Sequence, residues 1–588
     1  MKNKITRREM LQKTLAGIGA VGLPIGLTAC GSDDAESAPS AVKVQFLHGV
    51  ASGDPLQDRV IIWTRVTPED ESLRLEIQWE VSSDEQFKAI ISAGKVQTSQ
   101  ADDFTVKADA AGLKPAQNYY YRFKFGNVMS AAGRTRTLAV AVDQVSFAVC
   151  SCSNYPAGYF HVYKEMAQQN VDAVLHLGDY IYEYGQGGYA TENAQALGRT
   201  LAEDNSQELL NLTDYRKRYA LYRKDADLQA LHQRHPFIVI WDDHELANDA
   251  WRDGAENHQA DEGDFKARKA AALQAYFEWM PIRPKTADDH LNIYREFNFG
   301  NLVQLNMLDT RILARSQQLD YNDYLTGGTL DAAKFMADLA SSGRTLLGQV
   351  QLQWLSQSLA NSSAKWNVLG QQILMSKMLI PAEILLMLEK VQSGQAEAND
   401  LLIIKQMIAE LSAIKIQQMT DPAKLTAEQL QRIAAVAPYN LDAWDGYAYE
   451  REALYTVLQQ IDKPVVVLAG DTHNAWYSNL HAQTGKQVGI ELAASSVSSP
   501  GMEKYLQISA ADMQGFQQAF SLLIDELEYC NLSQRGYLKL SFDQQALQSE
   551  WIFVNTVQQK NYTVDAEASK IMHFDRALKP VQNLAQSA

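Results

Sequence analysis

From Val145 onward the chain repeats one phrase. A short apolar run, strand-like in length, stops abruptly and is followed at once by polar, chemically capable residues. The runs "VSFAVC", "DAVLHLG", "FIVIW", "NLVQLNML", "KWNVLG" and "PVVVLAG" lead into "SCSNY", "DYIY", "DDHE", "DTR", "QQ" and "DTH". Helical stretches separate them, which is the grammar of an α/β fold with buried, mostly parallel strands. In such sheets ligands bind beyond the carboxyl ends of the strands. Polar tips on successive strands therefore predict one composite site.

Upstream, residues 45–139 read differently. "RVIIWTRV" and "LRLEIQWEV" alternate, and "AAGLKPAQNYYYRFKFG" has the look of a late strand-turn-strand of a fibronectin-like sandwich, so an all-β N-terminal domain is expected. The α/β domain is expected over 140–560, interrupted by a helical insert at 375–437 that serves as a lid or as surface packing, with 561–588 a C-terminal tail. A chain of 588 residues is too long for a single core, which agrees with this division.

The N-terminus reads as an address. "TRREMLQK" carries Arg7 and Arg8, a glycine-rich apolar run from Leu15 to Ala29 follows, and "LTAC" places Cys30 where a lipoprotein is cleaved and lipidated. Residues 1–30 are thus expected to be a twin-arginine lipoprotein-type signal and 31–44 a tether. The chain would leave through the Tat machinery and sit in the periplasm or at the cell surface, held to the membrane by Cys30. Met10 stands where such signals prefer Phe, and an ordinary secretory signal with an incidental cysteine is the alternative. Only Cys150, Cys152 and Cys530 remain beyond Cys30, too few and too irregular for a disulfide framework. The formal charge of −17 excludes a general polyanion binder, and no sequence-specific nucleic-acid binding is expected. It leaves room for small phosphate esters, whose charge a local site with metal ions can meet.

The tips themselves carry ligand chemistry. Asp179 and Tyr182 in "GDYIY" offer a carboxylate able to bridge two cations and a phenolate suited to a trivalent metal. They match the G-D-x-x-Y pattern of metallophosphoesterases of the purple acid phosphatase type. "WDDHE" stands where that pattern has G-N-H-D/E, with Asp243 in the asparagine position and His244 facing substrate. "GDTH" stands for G-H-x-H, with Asp471 replacing the first histidine and His473 retained. "CSCSN" stands for D-x-H, with Cys152 and Asn154 in the two positions. One half of the site then holds Cys152, Asp179, Tyr182 and His473, a set plausible for Fe(III). The other holds Asp179, Asp243 and Asp471, with Gln371 or Gln372 as a further oxygen donor. Oxygen-only coordination favours Ca(II), Mg(II) or Mn(II). Arg311 is expected to clamp a phosphate oxygen, with a structural ion pair as the alternative.

Taken with "HGVASGDP", "VIIWTRV", "LDTRILAR", "RTLLGQVQLQWL", "NVLGQQIL" and "WDGYAYER", the mature chain resembles the alkaline phosphatase D, or PhoD-like, family. The resemblance implies a four-layer metallophosphoesterase-type α/β sandwich with an N-terminal β-sandwich and an Fe(III)–Ca(II) centre. It also implies hydrolysis of phosphomonoesters or phosphodiesters for phosphate scavenging, by in-line attack of a metal-bound hydroxide. The alternatives are a phospholipase-type phosphodiesterase acting on envelope lipids and a lipid-anchored binding protein with a degenerate phosphatase domain.

Overall fold

A computed structural model describes residues 42–286, 289–326, 329–392, 400–461 and 463–581. The export signal, Cys30 and most of the tether lie outside the described residues. Among the described residues no helix is long and apolar enough to cross a membrane.

All six expected strands are present, and they divide between two sheets. Gln144–Cys150, Ala173–His176 and Pro236–Val239 run parallel at the centre of a nine-stranded sheet. Val303–Met307, Trp366–Gly370 and Val465–Ala469 run parallel in a seven-stranded sheet and are joined there by Gln487–Ala493. Nearly every residue of these strands is buried, the mark of strands covered on both faces. One apolar core contains residues of both sheets, Val149, Leu175 and Ile238 from the first with Leu305, Val368 and Leu468 from the second. The sheets therefore face each other, with helices such as His161–Gln168 and Gly348–Asn361 outside them.

Their carboxyl ends converge. Ser151 bridges to Ser496, and the Gln372 amide donates to the Trp241 carbonyl at 2.6 Å. Two glycines make the approach possible: a Cβ on Gly178 would lie 2.3 Å from the Asp242 side chain, and one on Gly470 would lie 2.6 Å from Ser151 Oγ. Gly178 also has φ +108°, a conformation that L side chains rarely adopt.

The N-terminal region forms a β-sandwich, but not a separable one. Its five-stranded sheet packs on Val50–Gly53, Arg59–Arg65 and Thr105–Ala111, and these strands are the far end of the nine-stranded sheet, with Val50–Gly53 pairing directly with Pro236–Val239. Alternation along Arg59–Arg65 accounts for this. Val60 and Ile62 face the sandwich core while Trp63 faces the main core, so one strand serves two interiors.

Two boundaries need correction. The expected helical insert begins and ends on a ribbon, with Leu379–Pro381 antiparallel to Val436–Pro438. Among the described residues between them lie three α-helices, Ala382–Gln392, Asp400–Thr420 and Ala427–Ala434. Met375 and Ser376 lie outside the insert, their amides held by the buried Glu491 carboxylate. The expected tail contains the edge strand Lys570–Asp575, paired with Ala546–Val554.

Candidate metal centre

Each tip turns sharply as it leaves its strand. Cys152, Asp179, Asp471 and His473 all have φ between 56° and 63°, left-handed values that L residues other than Gly adopt at a cost. Four expected ligands sharing this strain in one place mark a site where position outranks local comfort.

Hydrogen bonds over-determine these turns. The buried Glu245 carboxylate accepts from the amides of Asp179 at 2.9 Å, Tyr180 at 2.5 Å and Asp242 at 2.7 Å, tying the "GDYIY" and "WDDHE" tips together. The Cys152 amide donates to the Gly178 carbonyl, and the Ser153 amide to that of Asp179.

Sulfur, carboxylate oxygen and ring nitrogen of Cys152, Asp179 and His473 lie within 4.8 Å of one another. Tyr182 closes the set: its hydroxyl is 3.0 Å from Asp179 Oδ2 and 3.2 Å from His473 Nε2. His473 Nδ1 faces the Pro500 carbonyl at 2.8 Å, so Nδ1 carries the proton and the Nε2 lone pair turns inward. A second group, Asp179 with Asp243 and His244, overlaps this one at Asp179, and a third, Asp242 with Asp243 and Asp471, overlaps the second at Asp243. Asp179 and Asp243 each belong to two groups, as bridging or neighbouring ligands must.

The electrostatics call for cations. Burial, reinforced by Asp179, pushes the Tyr182 phenol and the Cys152 thiol far above their ordinary ranges. Burial also raises Asp179 well above the carboxylate range and lowers His473 to about 3. The phenol, thiol and carboxyl hold protons unless a metal replaces them, while neutral His473 offers its Nε2 lone pair. Asp179 Oδ1, Asp242 Oδ2 and Asp243 Oδ1 are buried with no hydrogen-bond partner, oxygens of the kind a cation would take up. The donor set fits a metal centre.

Arg311 has an employment other than the expected phosphate clamp. It is fully buried, with Nε on Asp242 at 2.5 Å, Nη1 on Asp442 at 2.5 Å and Nη2 on Asp471 at 2.8 Å. Burial opposes its charge, yet Asp242 and Asp442 outweigh that and raise it well above the guanidinium range. The guanidinium thus holds the acidic half of the site together and presents no free nitrogen to substrate. Gln371 and Gln372, expected as oxygen donors to a metal or as supports beside it, make supporting contacts. The Gln371 oxygen accepts from Trp444 Nε1, and that of Gln372 from Thr310, so both amides brace the strand ends. Asn154 donates from Nδ2 to the Tyr189 carbonyl.

His244 stacks on Tyr182 with centroids 4.2 Å apart and meets Glu183 Oε2 through Nδ1 at 2.8 Å. Burial lowers its pKa, but Asp243, Asp179 and Glu183 overcome this and raise it well above the ordinary value. With Nδ1 engaged by Glu183, Nε2 is the ring nitrogen left over. A cleft of about 1160 Å³, lined by Asp249, Tyr439, Asp442, Asp471, His473 and Tyr505 among others, opens from these residues to solvent.

Several contributors were missed from sequence. Asp242 stands inside "WDDHE" and Glu183 directly follows "GDYIY", each beside a residue that was assigned a role. Glu245 was read only as the last letter of its motif. Asp442 lies three residues before Asp445 in a stretch with no strand signal, and Ser499 in "SSVSSPG" carried none at all.

Two facing mixed sheets with a cluster of metal-competent donors at their joined carboxyl ends define a metallophosphoesterase-type hydrolase. Residues 147–551 match the PhoD-like phosphatase family, and residues 32–139 match the PhoD-like phosphatase N-terminal domain. Alkaline phosphatase D of Bacillus subtilis (strain 168) is 33% identical over 98% of this chain and 88% of its own. The solved structure of PhoD superposes with a TM-score of 0.71 at 31% identity, covering 92% of each chain. The chain belongs to the PhoD-like phosphatase family and is a phosphoric ester hydrolase.

Proposed function

We propose that the protein is an exported phosphomonoesterase and phosphodiesterase that scavenges phosphate at a dinuclear metal centre. The observation that carries this reading is the sharing of Asp179 between two overlapping donor groups, with its Oδ1 buried and unpartnered. Cys152, Asp179, Tyr182 and His473 would hold Fe(III). Asp179, Asp243 and Asp471, with Asp242 beside them, would hold Ca(II), or Mg(II) or Mn(II) in its place. Such cations supply neutralisation of the phosphoryl group and an ionised water near neutral pH.

The remaining work falls to the chain's own groups. Glu183 holds the His244 Nδ1 proton and, with Asp243 and Asp179, favours the charged ring, so Nε2–H is placed to protonate the departing alkoxide. Arg311 keeps Asp242, Asp442 and Asp471 from repelling one another before any metal arrives. The cleft takes the alcohol portion of the ester. Its volume exceeds what a bare phosphate fills, which supports a second reading, a diesterase on envelope lipids. Export by the Tat route and tethering through lipidated Cys30, at the periplasmic or outer face, belong to the same proposal and rest on the N-terminal sequence.

The test is turnover of p-nitrophenyl phosphate against bis(p-nitrophenyl) phosphate, before chelation, after it, and after metal is returned. Activity lost on chelation and recovered with iron and calcium is expected. Folded, metal-loaded protein inert on both esters would instead favour the binding-protein alternative.

A further inference from the structure

The segment 496–501 follows the carboxyl end of Gln487–Ala493 and touches three of the four residues assigned to iron. The Ser498 and Ser499 amides approach the Cys152 carbonyl at 3.4 and 3.3 Å, and the Pro500 carbonyl accepts from His473. Ser499 Oγ lies 2.7 Å from the Tyr182 hydroxyl and 3.0 Å from the Cys152 carbonyl. Ser499 is wholly buried, so no water competes for its proton.

One hydroxyl proton therefore has two acceptors within reach. Without a metal, Tyr182 keeps its own proton and shares it with Asp179 or His473. A ligating phenolate has no proton and can only accept. The Ser499 proton then belongs on the Tyr182 oxygen, because a charged acceptor at the shorter distance outweighs a neutral carbonyl.

We infer that Ser499 is a positioning residue for the metal centre, donating a hydrogen bond to the Tyr182 phenolate that fixes its orientation and withdraws electron density from it. The inference rests on the iron reading above and concerns a residue that no ligand motif includes. A hydrogen bond to a ligating atom tunes the metal it binds. Here it lowers the energy of the phenolate donor orbital and raises the energy of the phenolate-to-iron transition.

The experiment compares visible spectra and metal content of wild type, Tyr182→Phe, Ser499→Ala and Ser499→Thr. The expected result is a charge-transfer band in wild type, lost in Tyr182→Phe, moved to longer wavelength in Ser499→Ala and returned to place in Ser499→Thr. An unshifted Ser499→Ala band, with the first two proteins as expected, overturns the role of Ser499 and leaves the iron reading intact. Colourless wild type holding two divalent ions overturns the iron reading instead. Ser499 is then judged by chelator competition, where about fivefold weaker retention in Ser499→Ala, restored by threonine, sustains the positioning role. Equal retention overturns it.

Discussion

The two halves of the centre solve the same problem by opposite means. Cys152, Asp179, Tyr182 and His473 have no cationic side chain hydrogen-bonded among them and hold together by sharing protons, through contacts of 3.0 and 3.2 Å at the Tyr182 oxygen. Asp242, Asp442 and Asp471 hold together around the buried charge of Arg311. On the reading proposed above, the difference matches each side to its metal: a proton-sharing set with phenol and thiol suits a strong Lewis acid, and a carboxylate set already partly neutralised suits a divalent ion.

The largest effect expected from breaking this comparison is at Asp179, where the halves meet. Asp179→Asn should lower kcat/KM by at least about 10³-fold, roughly 4 kcal/mol of transition-state stabilisation, measured on a chromogenic phosphate ester.

Arg311→Met attacks only the acidic half. Stripping the counter-charge from buried carboxylates costs about 3 kcal/mol of stability, and calcium should raise the melting temperature of the variant more than that of wild type. Calorimetry with and without calcium checks this, and equal shifts would break the proposed division of labour.

Glu183→Gln leaves both ligand sets in place and removes the carboxylate that holds the His244 Nδ1 proton and, with Asp243 and Asp179, favours its charged form. A fall in kcat of about 10²-fold is expected, with metal content unchanged. Steady-state kinetics beside elemental analysis separates these effects.

At neutral pH the smallest effect comes from outside the site, and it emerges only on acidification. Burial lowers His176 to about 3 and His235 to about 4, so both stay neutral in the fold where the unfolded chain takes up protons near 6.5. Stability present at pH 7 is therefore lost as pH falls from 6.5 toward 4. Each residue contributes about 1.4 kcal/mol per pH unit, and His235→Gln should remove one such share from urea unfolding curves taken across that range.

What was legible in the sequence follows from where the signal lies. A buried strand ending in a charged residue is a local pattern, so Asp179, Asp243, Asp471 and His473 could be read before any fold was known. The sheet to which each strand belongs is not local, and nothing in "VASG" says that Val50–Gly53 pairs with Pro236–Val239. The edge strand Lys570–Asp575 buries only Phe574 fully and lacks clear alternation, so it passed for a tail. Arg311 was left with two readings, phosphate clamp or ion pair, for a physical reason. An arginine at a strand tip looks the same whether its partner is a substrate or Asp242, and only burial tells them apart. Ser499 was invisible because its role depends on an oxygen 317 residues away.

The central claim is that one carboxylate joins two metals. Metal content of Asp179→Asn against wild type, by elemental analysis of folded protein, tests it most directly. The account predicts that iron and the divalent ion are lost together. Retention of either at full stoichiometry would contradict it.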